Sequence, residues 1–244
     1  MSGRRVKSGI NWKRIIFYYV VFGFLLYRAL LFLFTTDYFA LREVRIEGFK
    51  VLSPEYVVSL AGIKAGSNLL LLDTSKIKEN IEKDPWVESV IIKKEFFHGL
   101  FIGIKERVPF CVLTNGKEGV VLSDKCVALT KDIRPFYFLR KIKWKKIKIS
   151  EISLGKRFEN RWVCGSIYII KMFDKEFPGF LKGVQIAEEA YIKLYTKNDL
   201  TIIVSGVKDI TDKEKFVMLK KIIKAKSKKL KVLDLRYKKG IIGK

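Results

Sequence analysis

The sequence predicts an α+β chain: a single N-terminal transmembrane helix, then a β-α-α-β-β module, then a mixed, mainly antiparallel β domain with flanking helices. Three features point there. Ile15–Phe34 is one apolar run with a single charge, Arg28. Residues 42–109 switch from period-two to helical spacing and back. From residue 110 onward, short apolar runs alternate with turn residues such as Asn115-Gly116.

The apolar run matches the ~20 residues that an α-helix needs to cross ~30 Å of hydrocarbon. Arg4, Arg5, Lys7, Lys13 and Arg14 precede it without an acid, whereas Asp37, Arg42 and Glu43 nearly balance after it. Basic residues are retained on the cytoplasmic side, so the N-terminus is expected inside and the C-terminus outside. A cleaved signal peptide would have a shorter apolar core and small residues after it, but Thr35-Thr36-Asp37-Tyr38-Phe39 follows here. The expected layout is a cytoplasmic tail over 1–14, a span over 15–34, a linker over 35–41, the first domain over 42–109 and the second over 110–244.

Val44-Arg45-Ile46-Glu47 alternates as a strand that Gly48 breaks. Ser53-Pro54-Glu55 starts a helix, a hydroxyl cap followed by proline where no N–H is needed, and Gly62 stops it. Asp73 or Thr74 caps a second helix with Ile77 and Ile81 on one face, and Asp84-Pro85 ends it. Strands over Val87–Lys94 and Leu100–Arg107 follow, joined by a turn at Phe97-His98-Gly99.

In the second domain, Cys111–Leu113 and Val120–Leu122 flank Asn115-Gly116 as a hairpin. Lys141–Lys148 interleaves basic residues with Ile142, Trp144 and Ile147. Asn160–Phe173 reads as a helix through Val163, Ile167 and Ile170. Tyr191–Thr196 and Leu200–Ser205 form a hairpin, Thr211 and Glu214 a capping box before an amphipathic helix, and Val232–Tyr237 a last strand.

Charge is uneven. The formal net charge is +24, yet residues 42–109 hold 11 basic and 10 acidic side chains, against 32 and 14 in residues 110–244. Such a field attracts acidic partners, and outside a cytoplasmic membrane these are anionic lipid, anionic wall polymer or an acidic protein segment rather than nucleic acid. A Lys-rich solvated surface without a specific partner is equally compatible. Cys111, Cys126 and Cys164 have no metal spacing. Cys111 and Cys126 are placed to pair across a hairpin in an oxidising compartment, although three buried thiols are the favoured expectation.

No catalytic constellation is visible. His98, the sole histidine, sits in a turn, and Glu188-Glu189 point to opposite faces if on a strand. Phosphate loops, zinc spacings and nucleophile elbows are missing. The expectation is a binding protein without catalysis, cofactor, metal or small-molecule substrate.

"LREVRIEGFKVLSPEYVVSLAGIKAGSNLLLLDTSKIKENIEKDPWVESVIIKKEF" followed by "LFIGIKERVPF" resembles the POTRA domain of the FtsQ/DivIB bacterial cell-division proteins. The closing "LDLRYKKG" resembles the end of that family's second, β-rich domain. Two departures stand out. Glu95-Phe96-Phe97-His98 replaces the family's usual Pro-containing turn, and Ser123-Asp124-Lys125-Cys126 stands where members often have a glycine.

The resemblance implies a single-pass type II protein of the cytoplasmic (inner) membrane at the division septum, a scaffold supporting septal wall synthesis. It also implies that the terminal strand, read as a sheet edge, takes the membrane-proximal exported segment of FtsB, with FtsL as companion. Arg236 and Tyr237 match the family's binding residues, with Lys239 and Gly240 next and Leu233 and Leu235 on the same strand. Arg236 is expected to meet an acidic side chain, Tyr237 an apolar surface. On the POTRA strand, Glu88, Val90 and Ile92 are expected as an exposed surface for another division protein. The rival from a different class is an anchored binder of anionic cell-wall polymer or lipid, distinguishable by its steep loss of binding with salt.

Overall fold

The computed structural model describes residues 12–35, 37–95, 99–187, 189–224, 230–237 and 241–243. Helix α1, Trp12–Thr35, has 24 residues, about 36 Å at ~1.5 Å per residue. It is long and apolar enough to cross a membrane. Ile16, Phe17, Phe22, Leu25 and Phe32 all stand exposed along it, an uncovered apolar surface that suggests membrane anchoring.

Beyond α1 the order is β1 (Glu43–Glu47), α2 (Pro54–Ala61), α3 (Thr74–Glu82), β2 (Val87–Glu95) and β3 (Gly99–Glu106), the expected β-α-α-β-β. The sheet order is β1-β3-β2, with β1 parallel to β3 in the register Glu43↔Gly99 to Glu47↔Gly103. Ser53 caps α2 by accepting from the Tyr56 N–H at 3.2 Å, Pro54 occupies the first turn, and Gly62 closes the helix at φ 63°. Asp73 caps α3, its Oδ1 accepting from Ser75 and Lys76 N–H. Val57, Ala61, Ile77, Ile81, Val90, Leu100, Ile102 and Ile104 are buried here. The turn expected at Phe97-His98 lies outside the described residues.

The chain divides into two compact units: Met1–Phe49, Ser53–Ile81 and Val90–Ile104 in the first; Lys50–Leu52, Glu82–Ser89 and Lys105–Lys244 in the second. In the second, Glu106 accepts the Val51 and Leu52 N–H groups, both at 2.9 Å. Glu88 binds Lys125 and Lys105 at 2.5 and 3.0 Å.

The rest of the second unit is built on a nine-stranded sheet: β4 (Pro109–Thr114), β5 (Gly119–Ser123), β6 (Ala128–Thr130), β7 (Arg140–Lys143), β8 (Leu181–Ala187), β9 (Tyr191–Thr196), β10 (Thr201–Val204), β11 (Val232–Asp234) and β12 (Ile241–Gly243). The order is β12-β11-β10-β9-β8-β7-β4-β5-β6. Parallel steps occur at β4·β7, β7·β8 and β10·β11; the other pairings are antiparallel. Helices α4 (Arg161–Glu176), α5 (Val207–Thr211) and α6 (Lys213–Lys224) complete the unit. Its main core contains Leu113, Leu122, Ile142, Ile170, Phe173, Val184, Leu194, Ile202, Leu219 and Leu233. On the other face of the β4–β6 end, Val112, Val121 and Leu129 are covered by Trp86, Ile133, Phe136 and Leu139.

Several local readings change. Cys126 pairs with Cys164, Cα–Cα 5.6 Å, and leaves Cys111 a free thiol that burial pushes up to about 12. The favoured expectation of three buried thiols is thus corrected, and the alternative pairing across the β4–β5 hairpin does not form either, because Cys111 is buried in the core at 0% exposure while Cys126 bonds Cys164. The tetrapeptide ending in Cys126 is a tight turn in which that residue adopts φ 65°. This left-handed conformation accounts for glycine's suitability at that turn. Asp212, not Thr211, caps α6, accepting from Glu214 and Lys215 N–H; Thr211 instead donates back to carbonyls within α5. The strand expected over Val232–Tyr237 is β11 and ends at Asp234, where Arg236 turns back onto that carboxylate.

Candidate functional site

The two ends of the nine-stranded sheet differ. Beyond β6, the backbone of Gly155–Phe158 closes the end: Ala128 N–H donates to Lys156 at 3.3 Å, Gly155 N–H to Ala128 at 2.8 Å, and Val127 bridges Arg157. At the other end β12 is last, antiparallel to β11 in the register Val232↔Gly243, Leu233↔Ile242, Asp234↔Ile241. The strand expected as the edge, β11, is therefore the second one in. The edge belongs to the three residues of β12, Ile241–Gly243.

Around the end of β11 the side chains form a fixed cluster. Asp234 is 8% exposed and binds Arg236 through two oxygens, Nη2 to Oδ2 at 2.7 Å and Nε to Oδ1 at 3.0 Å. It also accepts the Arg236 backbone N–H at 3.0 Å. The guanidinium lies 4.8 Å from the Tyr191 ring centroid and 5.7 Å from that of Tyr237, within cation–π range of both. Arg236 is thus paired within the chain with Asp234, its side chain one third exposed. Its positioning holds Tyr237, which is 54% exposed.

Leu233 and Leu235 are fully buried, so neither side chain reaches a partner; they anchor the strand in the core, with Leu235 N–H donating to Ile203 at 2.8 Å. Lys239 and Gly240 lie outside the described residues. The POTRA surface also differs from expectation. Val90 is 2% exposed, Ile92 is half-buried, and the Glu88 side chain is held by two lysines. These three share the inward face of β2, and the exposed apolar residue on its opposite face is Ile91, at 59%. Alternation along nine residues fixes that two faces exist but not which is covered.

Behind β10 and β11, Asp209 was not singled out by sequence. Its Oδ1 accepts from Lys215 Nζ at 2.6 Å and its Oδ2 from Ser205 N–H and O–H at 2.6 and 2.7 Å. The side chains are 9% and 11% exposed, a buried ion pair linking α5 to α6. Asp209 being one residue in a short amphipathic segment, nothing in its spacing marked it.

Both carboxyls titrate below their ordinary range. For Asp234, the Arg236 hydrogen bonds outweigh burial. For Asp209, burial alone raises the value, but the Lys215 and Ser205 hydrogen bonds outweigh it. A depressed folded value means stabilisation that is complete above the unfolded range, near pH ~4, and lost as pH falls through the folded values. Stability is therefore expected to be flat from about pH 8 to 5 and to fall below about pH 4. Denaturant midpoints across that range, with Asp234→Asn showing a shallower acid loss, check it.

Among the described residues no three His, Cys, Asp or Glu side chains come together as metal ligands do. What the cluster presents outward is the half-exposed Tyr237 ring, with the Arg236 guanidinium against it.

A family model described as POTRA domain, FtsQ-type, matches residues 39–107. The chain is 31% identical over 81 residues to the cell division protein FtsQ of Syntrophotalea carbinolica, covering 33% of this chain and 29% of that one. It is 27% identical over 92 residues to the cell division protein DivIB of Clostridium acetobutylicum, covering 38% and 37%. Similarity to the FtsQ of Rickettsia felis is 23% but extends over 202 residues, 75% of this chain and 73% of that one. The chain thus spans about a third of the length of the first two relatives and about three quarters of the third. Residues 39–107 are an FtsQ-type POTRA domain, and the chain that carries them is a relative of the FtsQ and DivIB cell-division proteins.

Proposed function

We propose that this chain is a non-catalytic single-pass scaffold of the bacterial division machinery, binding an FtsB/FtsL-type subcomplex by strand addition along β12. The observation that carries the reading is the sheet order, in which β12 terminates the sheet while the opposite end is closed by Gly155–Phe158. A terminal strand offers one row of backbone donors and acceptors to an incoming strand, and Tyr237 adds an exposed ring nearby. The POTRA module, with its boundary near Pro109, serves a second division protein.

Orientation follows from the basic residues ahead of α1, with the chain that follows α1 outside the cytoplasmic membrane at the septum. The Cys126–Cys164 cross-link supports export, since such bonds persist in oxidising compartments.

The test is binding of the 244-residue chain in lipid nanodiscs to the exported segments of the cognate FtsB/FtsL pair. Tyr237→Ala is expected to weaken it about tenfold, the loss of ~1.4 kcal/mol typical of a moderately important interface aromatic. Raising salt from ~0.1 to ~0.5 M is expected to leave most of the affinity, because strand pairing acts at short range. Binding that ignores Tyr237→Ala and vanishes with salt would overturn this reading.

A further inference from the structure

The outward face of the sheet is covered over β4–β6 by the apolar segment containing Ile133, Phe136 and Leu139, but that cover stops at Tyr137 and Phe138. These two rings stand 79% and 68% exposed, edge to face at 5.9 Å. Beyond them the outward face of β7–β9 forms the floor of a trough of about 750 Å³. Alternation explains the floor: Ile142, Val184 and Leu194 are buried on one side, and Lys141, Lys143, Gln185 and Tyr195 project from the other. Gly183 pairs with Tyr195 and, lacking a side chain, leaves the centre low.

The lining chemistry is one-sided. Lys141, Lys143 and Lys182 are exposed, and among the described residues none has a carboxylate within 4 Å. Arg140 is already held by Asp174 and by the Leu181 carbonyl, 3.1 Å away. Among the described residues Asp199 is the single acid in the lining. Tyr195 O–H donates to Gln185 Oε1 at 2.6 Å, which orients the amide and leaves its NH₂ for an incoming acceptor.

A further strand has no edge to join here, because β7, β8 and β9 each have a neighbouring strand on both sides. Recognition must come from side chains alone: three point cations, flat aromatic faces and an amide donor. We infer that this trough binds an anionic glycan, a sugar polymer carrying carboxylate or phosphate groups, with Lys141, Lys143 and Lys182 meeting the charges and Tyr137, Phe138 and Tyr195 lying against sugar rings. It is separate from the β12 edge and does not depend on the partner bound there.

Polygalacturonate, a carboxylated sugar polymer, is the probe, with uncharged dextran and poly-glutamate as comparisons, each titrated against the 244-residue chain in nanodiscs of uncharged lipid. Polygalacturonate is expected to bind at least ten times more tightly than either. Lys141→Glu with Lys143→Glu should weaken it tenfold or more, Phe138→Ala severalfold, and the exposed α6 pair Lys213→Glu with Lys221→Glu less than twofold. Equal binding of poly-glutamate would assign the trough to acidic protein segments and overturn the glycan. Equal losses from the trough and α6 reversals would reduce it to unspecific attraction by net charge. Retained FtsB/FtsL binding in the trough variants separates the two surfaces.

Discussion

Replacing Asp209 by alanine is expected to destabilise the second unit by about 3–5 kcal/mol, the cost of leaving a buried charge without its partner. Lys215, 11% exposed, would lose its one carboxylate at 2.6 Å, and Ser205 both of its acceptor contacts. Denaturant unfolding of the chain in detergent measures the loss. A double variant, Asp209→Leu with Lys215→Met, should recover most of it, since a packed apolar pair needs no desolvation of charge. A single-variant loss below about 1 kcal/mol would mean that water reaches the pair and that its burial is not energetically real. The consequence reaches the candidate site, because α5 follows β10 directly, and β10 carries β11 and through it the β12 edge. Weakened FtsB/FtsL binding at temperatures where the remainder of the chain stays folded is therefore expected of Asp209→Ala.

Cys126→Ser or Cys164→Ser is expected to cost about 4 kcal/mol, the chain-entropy value for a cross-link closing a loop of this length. The two cysteines are 38 residues apart, joining the turn after β5 to the first turn of α4. Thiol titration of the unfolded chain gives an independent readout: one reactive group before reduction, Cys111, and three after. Reductant should reproduce the loss in the parent protein and leave either variant unchanged. Three thiols before reduction, with a loss under about 1 kcal/mol, would show the cross-link absent in the protein as made. In the folded chain Cys111 should stay inert to thiol reagents, as burial keeps it protonated at any working pH.

Much of the architecture was legible because its determinants are local. Apolar spacing set α1, α3 and α4, Ser53-Pro54 and Gly62 bounded α2, and Tyr191–Thr196 alternated as β9 over the very residues observed. Capping is legible as well, though at α6 the spacing favours the Thr211 hydroxyl, whereas the adjacent Asp212 carboxylate captures two N–H groups. The departure at Ser123–Cys126 carried a signal in retrospect, since a turn suited to glycine was occupied by a residue with a second task, bonding Cys164.

What sequence by itself determined is the sequence of local states: an apolar helix long enough for a membrane, a β-α-α-β-β module of FtsQ-type POTRA character, then a β-rich basic region from residue 110. Tertiary structure alone decided which cysteines meet, which face of β2 is inward, that Arg236 pairs with its own Asp234, and that β12 rather than β11 ends the sheet. The reason is common to all four. Helical and strand periodicity follow from backbone geometry within a few residues, whereas each of these outcomes depends on which distant segment occupies the neighbouring space, and a strand's two faces and two edges are chemically equivalent until that neighbour arrives.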